Sequence, residues 1–202
     1  MPGLALVLCL AYLTLVFGVR SLVLYARTGR TGWVDPGAKG STERLADLLC
    51  VAALALVLGS PILALSGLIE PIAALDGAPA HTLGVAVFAL SALLAGAAQR
   101  TMGSAWRTGI DPGDPGELVV DGPFSLVRNP VYTTIIATAL GAGLLAPTVV
   151  GLVAVLASVL ALELQTRGVE EPHLLRVHGE RYAHYAARVG RFVPGIGRLR
   201  SS

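Results

Sequence analysis

The chain has 202 residues, of which 54% are hydrophobic and 14% charged, with a mean hydropathy of +0.70. A soluble domain carries roughly a quarter charged residues, so this composition excludes disorder, argues against a soluble globular fold, and requires that most of the chain be solvated by lipid. Net charge is only +2 and the two cysteines, Cys9 and Cys50, lie in apolar runs, so neither a nucleic-acid partner, a disulfide framework nor a thiolate metal site is expected.

In chain order, residues 1–19, 48–69 and 77–99 lack Asp, Glu, Lys and Arg. Each suits one membrane span, since about 20 residues at ~1.5 Å per residue cross a hydrocarbon core of ~30 Å. A stretch rich in Gly, Pro and Asp follows. Asp111 to Gly116 read there as successive turns, Leu118 to Val120 as a brief extended piece, and Asp121, Gly122 and Pro123 as a turn back toward the membrane. The uncharged run at 129–162 is too long for one span, because 34 residues of straight helix reach roughly 50 Å. With Gly141, Gly143 and Pro147 in its middle, it is predicted to be a tight hairpin of two helices, 131 to about 144 and 148 to about 164. The tail from 167 to 191 has helical composition apart from Gly168 and Pro172, and Leu174, Leu175, Val177, Tyr182 and Tyr185 form an apolar face that should dock on the protein or the interface. The predicted fold is all-α, an integral membrane protein with about five transmembrane helices. Residues 1–99 form three N-terminal spans, and 100–202 comprise a loop, a hairpin and a polar tail.

All fifteen basic residues fall between the first two spans, between the third span and the hairpin, or after the last helix. Because short basic loops are retained on the cytoplasmic side, the expected orientation is N-terminus outside and C-terminus inside a cytoplasmic membrane of bacterial type. Arg20 follows the first apolar run and no basic residue precedes it, the arrangement of a retained anchor rather than a cleaved signal.

Two patterns carry little. Gly141, Gly143 and Ala146 match the dinucleotide fingerprint, but no strand precedes them, and close helix packing explains them better. His173, His178 and His184 are spaced by five and six residues, which does not put two imidazoles on one helical face, so no metal is expected. His81 marks a helix start.

The informative constellation runs from Gly122 to Tyr132, G-P-F-S-L-V-R-N-P-V-Y, and resumes at Arg167, Glu170 and Glu171. Singly these residues read as a membrane-entry turn with an interfacial arginine, a helix-start proline and a belt aromatic. Together they put a guanidinium, an amide, a phenol and two carboxylates at neighbouring helix ends, a cluster suited to a ligand both charged and aromatic.

Residues 103–132, G-S-A-W-R-T-G-I-D then E-L-V-V-D-G-P-F-S-L-V-R-N-P-V-Y, with Glu170, Glu171, Gly179, Tyr182, Tyr185 and the closing R-F-V-P at 191–194, resemble the catalytic region of the isoprenylcysteine carboxyl methyltransferase family and its relatives among phospholipid methyltransferases. Those proteins carry R-H-P-x-Y before a hydrophobic hairpin, then a Glu-Glu pair and G-x-x-Y-x-x-Y. The resemblance covers roughly 100–195. It implies an integral membrane enzyme that binds S-adenosylmethionine in a cytosolic pocket without a Rossmann domain. It assigns cofactor contacts to Glu117, Leu118, Val119, Phe124, Arg128, Asn129, Pro130, Tyr132 and Glu171. The backbone of Leu118 and Val119 would meet the adenine edge, Phe124 and Tyr132 its rings, and Asn129 and Glu171 its charged groups. Asn129 replaces the family's histidine and can donate a hydrogen bond but cannot carry a proton. Arg167 occupies the position of an arginine that contacts the acceptor, and would hold an anionic one. Glu170, with Glu171 and Tyr182, is a candidate to take the proton of an amine or phenol acceptor. The implied acceptor is a lipophilic small molecule or lipid reaching the pocket from the bilayer. Carboxylate, amine and phenol nucleophiles all remain open, as does oligomeric state. The alternative to an enzyme is a membrane scaffold or small-ligand binder with the same fold.

Overall fold

The structure is a computed structural model that describes residues 1–29, 31–33, 40–103 and 116–199. The turns read at Asp111 to Pro115, the G-S-A-W-R-T-G-I-D motif beyond Gly103, and Arg30, Lys39, Arg107 and Arg200 of the charge distribution lie outside the described residues. Helix α1 (Pro2–Leu13) runs through a π-helical turn (Thr14–Val19) into α2 (Arg20–Thr28) as one rod. The others are α3 (Ser41–Leu65), α4 (Ala78–Met102), α5 (Pro130–Leu145), α6 (Val149–Gln165) and α7 (Glu171–Arg188). Among the described residues there are four helices long and apolar enough to cross a membrane, together with the shorter apolar α5, so the all-α membrane fold expected from composition is the one observed.

The hairpin forms as its sequence predicts. Pro130 opens α5, where a missing N–H costs nothing. The connection holds Pro147, and Thr148 caps α6 by accepting a hydrogen bond from Gly151 N at 2.9 Å. α4 packs on α5, and α3 on α6. The first contact is fixed by glycines: a Cβ on Gly141 would stand 2.9 Å from Phe88 Cδ2, and one on Gly84 would stand 3.1 Å from the Gly141 carbonyl. The two backbones approach as closely as only small residues allow. Buried polar pairs join the helices: Tyr12 Oη to Thr134 Oγ1 at 2.7 Å, and Ser60 Oγ to Thr148 Oγ1 at 2.9 Å. The π-turn of the first rod frees a carbonyl, and Gln99 Nε2 takes it, donating to Val16 O at 2.6 Å.

Where Gly168 and Pro172 suggest an interruption, α6 instead passes into α7 through a second π-turn (Thr166–Glu170). Pro172 has no N–H to offer the Gly168 carbonyl, and the wider turn absorbs that loss. Gly168 also admits α3, since a Cβ there would lie 2.9 Å from Thr42 Cγ2. α7 breaks once, at Gly179 (φ 52°, ψ −130°), a conformation that favours glycine. Past the break, Tyr182 and Tyr185 turn inward and pack on Leu118 and Ala186, whereas Leu175 and Val177 of the predicted face remain exposed.

Candidate active site

The basic ends of the helices converge on a buried ion cluster. Asn129, just before α5, and the tail after α7 run side by side, with Arg128 N donating to Gly190 O (2.8 Å) and Asn129 N to Arg191 O (3.1 Å). This seam aims Arg128 inward. Its side chain is 1% exposed, pairs with Glu171 Oε1 at 2.6 Å, and donates to the carbonyls of Ala186, Val189 and Gly197. Arg191 grips the same carboxylate with two bonds, Nε to Oε1 at 2.9 Å and a terminal nitrogen to Oε2 at 3.0 Å, and reaches Glu163 at 3.2 Å. Burial works against charge on Arg191. The hydrogen bonds and charges of Glu171 and Glu163 outweigh it, so the guanidinium holds its proton more firmly than usual.

Beside this cluster lies a cavity of about 710 Å³, within the range of small-molecule sites. Glu117, Leu118, Val119, Phe124, Arg128, Asn129, Pro130, Tyr132 and Glu170 all line it. Glu170 is turned to the cavity by its neighbours: Tyr132 Oη and Gln165 Nε2 (3.4 Å) both donate to its Oε1, which leaves Oε2 for a further donor. Tyr185 Oη donates to Phe124 O at 2.6 Å and so fixes the backbone beside the rim. Asn129 spends its amide weakly, on Arg191 O at 3.4 Å.

Two sequence-derived assignments land elsewhere. Glu171 does not line the cavity; its carboxylate is consumed by Arg128 and Arg191, so it braces the wall where it was expected to face a ligand. Arg167 also lies off the cavity, with its side chain 66% exposed and paired to Glu163 at 2.8 Å. The reason is helical phase: Arg167 follows Glu163 by four residues, and the pair satisfies itself on the outer face.

The first half of the chain contributes walls that its sequence read only as generic spans. Tyr12 and Phe17 of the first rod line the cavity, as do Glu43, Asp47, Cys50, Leu54 and Val57 of α3. The signal for α3 was present. Positions 43, 47, 50, 54 and 57 step by four and three, one helical stripe that carries two acids at the entrance and turns apolar inward.

These features define an all-α membrane protein with a polar-mouthed cavity at the basic end of its bundle. A family model described as phospholipid methyltransferase matches residues 79–181, about half of the chain, from α4 to the second half of α7. The chain belongs to that family of integral membrane methyltransferases, in accord with the resemblance read from its motifs. No curated protein matches it.

Proposed function

We propose that the protein transfers the methyl group of S-adenosylmethionine to a lipophilic acceptor that enters the cavity from the bilayer. The observation that carries this reading is the continuity of one cavity from a rim of carboxylates, amide and phenol, contributed partly by the family-matched segment, to an apolar interior between α1, α3, α5 and α6.

The donor set fits the cofactor. Its sulfonium and amino group are cationic, and the described lining offers Glu43, Asp47, Glu117 and Glu170 against one guanidinium, Arg128, already bound to Glu171; the cofactor's single carboxylate would fall to the Asn129 amide and the imidazoles of His173 and His178. Asn129 supplies an amide, Phe124 a ring, and the non-helical segment at Leu118 and Val119 a backbone edge. When bound, S-adenosylmethionine supplies an electrophilic methyl group on a sulfonium.

The protein's own part is positioning, a dry pocket, and a place for a proton. Arg128, Glu171 and Arg191 hold the seam that presents Asn129. Glu170 accepts a proton at Oε2 from the acceptor, while Tyr132 and Gln165 hold Oε1. The same charge inventory disfavours an anionic acceptor, because a carboxylate entering among four others meets, among the described lining residues, one guanidinium, that of Arg128, already spent on Glu171, besides the imidazoles of His173 and His178. We therefore assign the nucleophile to an amine or phenol.

Titration calorimetry of S-adenosylmethionine into the purified protein in nanodiscs tests the reading. One-site binding is expected. It should weaken about tenfold in Asn129→Ala, the loss of roughly one hydrogen bond, and persist in Asn129→His. No heat at millimolar ligand refutes it.

A further inference from the structure

The inner end of the cavity is closed. Cys9, Val57 and Ala139 line it and at the same time belong to the packed core formed with Ala5, Ala142 and Leu145, whose members are 0–8% exposed. The opening and the floor are set by two helices in register, α3 and α5. Ala139 lies nine residues along α5 from Pro130, and Val57 lies ten along α3 from Asp47, so the floor is about 13 to 15 Å below the rim at ~1.5 Å per residue.

Nothing charged lies along that path on these helices beyond the rim. Of the hydroxyls that line it, Tyr12 bonds Thr134 and Ser158 donates to Ala154 O at 2.8 Å, whereas Thr138 Oγ1, beside the floor residue Ala139, is buried with no hydrogen-bond partner among the described residues. The interior therefore offers a ligand apolar volume of fixed length, with one unpaired hydroxyl, that of Thr138, near its inner end.

Resting on the methyltransferase reading, we infer that this blind sleeve selects acceptors by tail length: its substrate class is a single-chain amphiphile with a neutral or cationic head and an apolar tail of about ten backbone carbons. An extended polypeptide advances ~3.5 Å over three bonds, about 1.2 Å per bond, and an all-trans alkyl chain has the same zigzag. The sleeve then takes up roughly eleven or twelve bonds, of which the head uses one or two. One cavity of about 710 Å³ must hold a nucleoside-bearing cofactor and the acceptor together, which leaves room for one chain and not for two. Val57 and Ala139 set the stop.

The test uses n-alkyltrimethylammonium ions from hexyl to hexadecyl, titrated below their micellar concentrations into the full chain in nanodiscs, with empty nanodiscs as blank. Each buried methylene should tighten binding about fourfold (about 0.8 kcal/mol) up to a tail of about ten carbons, after which the gain stops. Val57→Ala should move that stop about two carbons longer and Ala139→Val about two shorter. Opposite shifts cannot come from general destabilisation. A stop that stays in place in both variants, or a gain that continues to hexadecyl in the wild type, overturns the inference. So does didecyldimethylammonium binding more than tenfold tighter than decyltrimethylammonium, since a second chain would then be housed. S-Adenosylmethionine binding, measured on the same samples, separates the two claims: its loss in the wild type removes the methyltransferase reading, whereas an indifferent chain-length profile with intact cofactor binding removes only the sleeve.

Discussion

Neutralising Glu171 by Gln distinguishes a carboxylate that braces the fold from one that faces a ligand. Among the described residues Glu171 is the one ion-pair partner of Arg128, whose side chain is 1% exposed, and it takes two further bonds from Arg191, 5% exposed. Removing one partner of a buried pair leaves an uncompensated charge and costs about 3 to 5 kcal/mol, which for a chain of this size lowers Tm by roughly 10 °C. Arg191→Gln should cost less, because Glu171 then keeps Arg128 and Glu163 keeps Arg167 at 2.8 Å. Combining the two changes should destabilise by clearly less than their sum, a coupling that a double-mutant cycle reads directly. The assay is thermal unfolding in nanodiscs at low and high salt, and the losses should be nearly salt-independent because the pairs are buried. If Glu171→Gln unfolds within about 2 °C of the wild type yet loses S-adenosylmethionine binding, the carboxylate serves the ligand and the bracing argument is wrong.

Three further outcomes follow from the same geometry. Gly141→Ala drives a Cβ to 2.9 Å from Phe88 Cδ2 and should cost about 1 to 3 kcal/mol of stability, whereas Gly96→Ala, with nothing within 4 Å, should gain up to about 1 kcal/mol; equal Tm values for the two would deny the close α4–α5 approach. Arg167→Ala removes an exposed pair and should change stability by less than about 1 kcal/mol, with cofactor affinity and turnover within threefold by radiolabel assay; a tenfold loss of turnover would reinstate the anion grip suggested by its sequence position. In a background lacking Cys9 and Cys50, a cysteine at Asp76 should label from outside intact cells and one at Arg198 only after permeabilisation, the orientation that puts the cavity mouth where S-adenosylmethionine is made; the reverse pattern inverts the topology.

The hairpin and the spans were legible because each rests on local physics: uncharged length, and Gly141, Gly143 and Pro147 at a turn. Family membership was legible because two separated motifs keep their order. The role of Arg128 was not. Beside a membrane-entry turn it reads as an interfacial anchor, and only the folded chain brings Glu171, 43 residues on, and the carbonyls of the tail to its guanidinium. The same distance hid the fate of Glu171, since charge type predicts a partner but not whether that partner is a ligand or Arg191. Glu170 and Glu171, adjacent in sequence, face different ways as consecutive helical residues do, about 100° apart, and the π-turn that ends at Glu170 shifts the phase that decides which of them meets the cavity, a shift no periodicity argument contains. The wall from α3 was missed for another reason. Its acids lie outside the uncharged run that defined the span, so the stripe they begin was cut at residue 48.

Transfer of tritiated methyl from S-adenosylmethionine into organic-extractable material is the most direct measure of the central claim, with membranes of cells expressing the wild type compared with cells expressing Glu170→Gln and Asn129→Ala at equal levels. The account predicts a lipophilic labelled product in the wild type, lost at least tenfold in Glu170→Gln and reduced in proportion to cofactor affinity in Asn129→Ala. Label that stays at the empty-vector level in the wild type, from cells whose purified protein is folded, contradicts it.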